Sequence, residues 1–114
     1  MRLLVCAGRD FDDEDLLYDI MQVIEAKAEI SCIIEGGAKG ADMLAGLYAN
    51  FRNLPLEIYP AQWEKYGNQA GPIRNMQMIV EGKPDCVLAL PGGRGTANMV
   101  QQAKDAGIRV IERK

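Results

Sequence analysis

Two glycine-dense turns hold the residue types best suited to gripping a small anion. They are Gly36-Gly37-Ala38-Lys39-Gly40-Ala41-Asp42 and Pro91-Gly92-Gly93-Arg94-Gly95-Thr96. Each follows a short apolar run, Ser31 to Glu35 and Cys86 to Leu90, and each leads into a helical pattern. A strand that ends in glycines and feeds a helix presents bare backbone N–H groups at the positive end of the helix dipole, which suits a phosphate or another nucleotide-like anion. Side chains there would block close approach to the backbone. One such turn is ordinary strand-to-helix geometry; two, each with one basic residue, favour a ligand site. Gly8 and Arg9 form a third loop after the apolar run Leu3 to Ala7.

The charged and polar residues near these turns divide by role. Arg74 follows Pro72 in the expected first turn of a helix, where a cation opposes the dipole. An anion between the two relieves that conflict, and a guanidinium can hold phosphate through two parallel bonds; the plainer alternative is a surface ion pair. Asn75 is expected to support Arg74. Arg9 either faces the ligand or pairs within the acidic group Asp10, Asp12 and Asp13. Glu35 ends its strand where dinucleotide-binding folds often place an acid on a ribose hydroxyl; otherwise it is a solvated strand end. Asp42 is expected to brace its turn by accepting from backbone N–H groups, and Lys39 is a counter-charge or solvated. Glu35, Asp42 and Arg74 are the candidate catalytic residues should a reaction occur, with a carboxylate as general base. Thr96 is expected to cap a helix, and its hydroxyl can also donate to a phosphate oxygen. Trp63 and Tyr66 form either a platform for a base or ribose or a plug over the sheet end. Met43, Met76, Met78 and Met99 read as core or interface.

Composition sets the frame. A chain of 114 residues is long enough for one domain with its own core, taken here as residues 1–114. Thirteen basic against sixteen acidic residues, without histidine, give a net charge of −3. That balance argues against a nucleic acid or a membrane surface as partner. Cys6, Cys32 and Cys86 sit singly in apolar runs, so buried thiols are expected and no metal site or cofactor. No apolar run approaches the ~20 residues of a membrane span, and the start lacks the pattern of a signal peptide. These features read as a cytoplasmic protein.

Strand and helix patterns alternate. Strands are expected at Leu3 to Ala7, Ser31 to Glu35, Leu56 to Tyr59, Asp85 to Leu90 and Arg109 to Glu112. Helices are expected after an Asp12 or Asp13 cap, at Ala41 to Arg52, from Pro72 to about Val80, and at Thr96 to Ala106. A polar stretch from Pro60 to Gly71 shows no clear period. Five strands and four helices in alternation imply an α/β fold with a parallel sheet covered on both faces. Right-handed crossovers in a doubly wound layout give strand order 3-2-1-4-5. Ligands of such sheets bind outside the strand C-termini at the switch point, where the three loops above all open.

The same residues resemble a known family. Gly36 to Asp42, Pro60-Ala61-Gln62-Trp63, Tyr66-Gly67 with Ala70 to Met78, and Pro91 to Thr96 look like the YspA-like branch of the SLOG superfamily. Ala7-Gly8-Arg9-Asp10-Phe11 is similar to its first-strand signature. The resemblance implies a Rossmann-like fold and the binding of a nucleotide or nucleotide-derived ligand. The ligand-binding set expected is Gly8, Arg9, Gly36, Gly37, Lys39, Gly40, Asp42, Arg74, Asn75, Gly92, Gly93, Arg94, Gly95 and Thr96. The related LOG phosphoribohydrolases cleave the N-glycosidic bond of nucleoside monophosphates, which makes such hydrolysis the alternative function. Their Gly-Thr pair leads into catalytic glutamates, whereas Ala97-Asn98-Met99 follows Thr96 here. Binding of single-stranded nucleic acid, as in the related DprA-type proteins, is a third reading, opposed by the net charge. LOG-type relatives dimerise through helices, and Leu47, Tyr48, Phe51 and Met99 suggest apolar surface for a homo-oligomer.

Overall fold

The computed structural model describes residues 1–113. Strands β1 (Arg2–Cys6), β2 (Cys32–Glu35), β3 (Leu56–Ile58), β4 (Cys86–Ala89) and β5 (Arg109–Glu112) form one parallel sheet in the order β3-β2-β1-β4-β5. Helix α1 (Glu14–Lys27) links β1 to β2, and α2 (Ala41–Phe51) links β2 to β3. A one-turn helix, α3 (Trp63–Tyr66), and a 3-10 turn at Gly67–Gln69 precede α4 (Ala70–Val80), and α5 (Arg94–Asp105) links β4 to β5. This is a Rossmann-like α/β domain with the expected strand order.

Alternation along the buried strands makes the three layers. Leu3, Val5, Ile33 and Leu88 face Leu17, Met21, Ala45 and Tyr48 of α1 and α2. Leu4, Cys6, Ile34 and Val87 face Met78 of α4 and Met99 and Ala103 of α5. Complete burial of such side chains contributes about 1.5–3 kcal/mol each. All three cysteines are free and buried; burial pushes the Cys6 thiol up to about 12.

Several elements shift from their expected bounds. α1 starts behind Asp13, whose Oδ1 accepts from the Leu16 N–H at 3.0 Å. α4 begins at Ala70, so Arg74 lies in its second turn, not its first, where the opposition to the dipole is weaker. α5 begins at Arg94 behind Gly93. Thr96 is therefore inside the first turn and is not the cap. On α2, Tyr48 is buried while Leu47 and Phe51 are exposed, and Met99 is fully buried. Tyr48 and Met99 thus offer no surface to a second chain. Met78 belongs to the core with Met99, but Met43 and Met76 are more than half exposed. No helix of the described residues is long and apolar enough to cross a membrane.

Candidate functional site

The loops after β1, β2 and β4 meet at the switch point between β1 and β4. The Gly8 N–H donates to the Pro91 carbonyl at 3.0 Å. A Cβ on Gly8 would lie 2.9 Å from the Gly92 Cα, closer than packed atoms tolerate. Gly40 has φ +84°, and a Cβ there would run into the Gly8 carbonyl oxygen. Only glycine satisfies both that backbone angle and that contact. These positions weld the three loops together. Gly93 and Gly95 differ: both are exposed, and a Cβ on either would meet open space. The result is an open shelf at the start of α5. Concavities of about 400 and 460 Å³ lie elsewhere, one between α1 and α2 around Tyr18, Glu25 and Phe51, the other between α1 and β5.

The start of α5 is electrostatically bare. Its first turn holds no acid, Gly93 gives no side-chain cap, and Arg94 is its first residue. By contrast α1 has an aspartate cap followed by Glu14 and Asp15. The N–H groups of an uncapped helix start need another acceptor, water or a ligand. The Thr96 hydroxyl lies against Gly92 beside these groups.

The second glycine turn is held from within. Asp42 is buried, and its Oδ2 accepts from the Gly36 and Ala38 N–H groups at 3.2 and 3.3 Å. It braces the turn as expected. Glu35 is also buried, not a solvated strand end, and its Oε1 accepts from the Gly37 N–H at 3.1 Å. Burial, with the Asp42 charge adding to it, pushes the Glu35 carboxyl up to about 7. Burial likewise raises Asp42 to about 6, against the pull of its backbone bonds and of Arg74. Lys39 is exposed on the turn.

Arg74 joins this turn to α4. One terminal nitrogen donates to the Gly36 carbonyl at 2.8 Å, and Nε donates to Asn75 Oδ1 at 3.1 Å. These bonds use two of the five guanidinium N–H donors. Among the described residues neither Arg74, Arg9 nor Arg94 forms an ion pair, so the expected alternatives of a surface pair for Arg74 and an acidic partner for Arg9 are not found. Arg9 is exposed at the β1 loop.

A polar ladder then runs from α4 to α5. Buried Asn75 donates to the Gly95 carbonyl at 3.2 Å and to Asn98 Oδ1 at 3.0 Å, and Gln102 donates to the same Asn98 oxygen at 2.8 Å. Asn98 and Gln102 escaped the sequence reading as supporting residues. Their spacing of four along one helix face was the available signal. Trp63 and Tyr66 are exposed by 60% and 37%, so neither plugs the sheet end.

A doubly wound α/β domain with glycine loops gathered at its switch point is the class that fold and site define. Residues 1–66 match the family model described as YspA, cpYpsA-related SLOG family. The chain is 33% identical over 118 residues to the Gene 61 protein of Mycobacterium phage D29, covering 96% of this chain and 94% of that protein. The chain belongs to the YspA, cpYpsA-related SLOG family. That membership is consistent with a nucleotide-related binding module. No solved structure matches the chain.

Proposed function

We propose that the protein binds a nucleotide or nucleotide-derived small molecule on the shelf at the C-terminal edge of its sheet. The observation that carries this reading is the start of α5, where exposed Gly93 and Gly95 flank Arg94 at a helix end with neither cap nor acid. A phosphate takes the free N–H groups there, with the Thr96 hydroxyl beside them and Arg74 and Arg9 as counter-charges. The Gly36–Gly40 turn, with Lys39, receives the sugar or a second phosphate. Glu35 and Asp42 engage the backbone of their own turn, which supports holding a ligand over hydrolysing its N-glycosidic bond. The exposed stripe Met43, Leu47 and Phe51 on α2 supports self-association, which light scattering checks.

Native mass spectrometry of freshly purified protein tests the binding reading. A co-purifying or added nucleoside phosphate at one per chain is expected, without release of free base. Rapid release of base from a nucleoside monophosphate would make the protein a hydrolase instead.

A further inference from the structure

We propose that Trp63 is the stacking platform for the base of the bound nucleotide, an assignment that rests on the binding reading above. The β3–α4 connection leaves the sheet beside the Gly36–Gly40 turn. Ile58 and Pro60 stand 3.0 and 3.8 Å from where a Gly37 Cβ would lie. The connection then rises through α3 and the 3-10 turn, neither of which buries a single side chain. It returns at α4, where the edge of the Trp63 indole lies 3.6 Å from the Cβ position of Gly71. Gly71 and Arg74 are three residues apart, on one face of α4, and Arg74 reaches the Gly36 carbonyl. An aromatic ring thus lies against α4 one helical turn before the residue that reaches the Gly36–Gly40 turn.

The ring is free to be used. Trp63 is the only tryptophan of the chain and is 60% exposed, so much of the indole is open to a flat partner. Tyr66 is the weaker candidate because Lys65 Nζ already sits over its ring, 5.0 Å from the centroid. Every nucleobase has a π-face, so a flat indole on the connection that leaves the sheet beside the Gly36–Gly40 turn takes a base without demanding one base identity. Specificity between bases then lies with hydrogen bonds, not with Trp63.

Because Trp63 is the sole indole, its emission reports stacking directly. Adenosine, guanosine and uridine 5′-monophosphates and ribose 5-phosphate are titrated into the protein, by fluorescence and by calorimetry in parallel. Nucleotides are expected to quench the emission, purines most, while ribose 5-phosphate binds without quenching. Trp63→Ala is expected to weaken nucleotide binding about tenfold and leave ribose 5-phosphate unchanged, with Trp63→Phe restoring most of the loss. Nucleotide binding without quenching, and with equal affinity in Trp63→Ala, overturns the platform while sparing the binding reading. No binding of any of the four compounds overturns both.

Discussion

Asn75, buried on α4, donates to the carbonyl oxygen of Gly95 in the first turn of α5 at 3.2 Å. One side chain thus fixes the exposed glycine shelf against a neighbouring helix while accepting from Arg74 through its other amide atom. Replacing it with leucine leaves the Arg74 Nε and the Asn98 oxygen each short of a partner. Asn75→Leu is expected to cost about 1–3 kcal/mol of stability, read by denaturant unfolding. A loss under about 0.5 kcal/mol would mean that the ladder is ornamental.

The glycines separate into two kinds with opposite expected effects. Gly8→Ala forces a Cβ onto Gly92 and is expected to lower the unfolding temperature clearly. Gly95→Ala meets open space inside a helix, where alanine is favoured by up to about 1 kcal/mol. That variant is expected to be as stable as the parent or more so, yet to bind ligand less well. Thermal unfolding and calorimetry on both variants check the contrast.

Arg74→Ala is expected to weaken binding of a phosphorylated ligand by about 2–3 kcal/mol, the scale of a lost charge-assisted bond. The matching nucleoside is expected to lose far less. Equal losses for the two would mean that Arg74 does not face the phosphate.

Much of this was legible in the residues, for specific reasons. The strand order followed from apolar runs alternating with amphipathic segments, because few topologies satisfy right-handed crossovers. The bracing role of Asp42 followed from a carboxylate placed just after a glycine turn. The start of α5 was not legible, since Gly93-Arg94-Gly95 has poor helix propensity and its contacts with Asn75 come from a distant segment. The exposed side of α2 was hidden too. Leu44, Ala45, Leu47, Tyr48, Ala49 and Phe51 surround the helix with apolar groups, so periodicity could not say which of them face out.

Glu35 and Asp42 give the fold a definite pH dependence. Both carboxyls hold protons more tightly in the folded protein than their ordinary values of 4.5 and 3.8, reaching about 7 and about 6. The folded state therefore binds more protons than the unfolded chain between those limits, and stability falls as pH rises. Their contribution is complete below about pH 4 and is lost once pH passes about 7. Unfolding temperature is expected to decline between about pH 4 and about pH 7, and Glu35→Gln should flatten the upper part of that decline. A parent protein whose stability rises steadily across this window would contradict the assignment.

A phosphate held by the backbone at the start of α5 is read out by calorimetry of nucleoside monophosphates against the parent and Gly93→Val. A Cβ on Gly93 would meet open space, so the valine has room, and thermal unfolding of both proteins confirms that the variant compared is folded. A phosphate site at the start of α5 means one-to-one binding by the parent and none detectable by the folded variant. Equal affinity in the two proteins, with both fully folded, would contradict it.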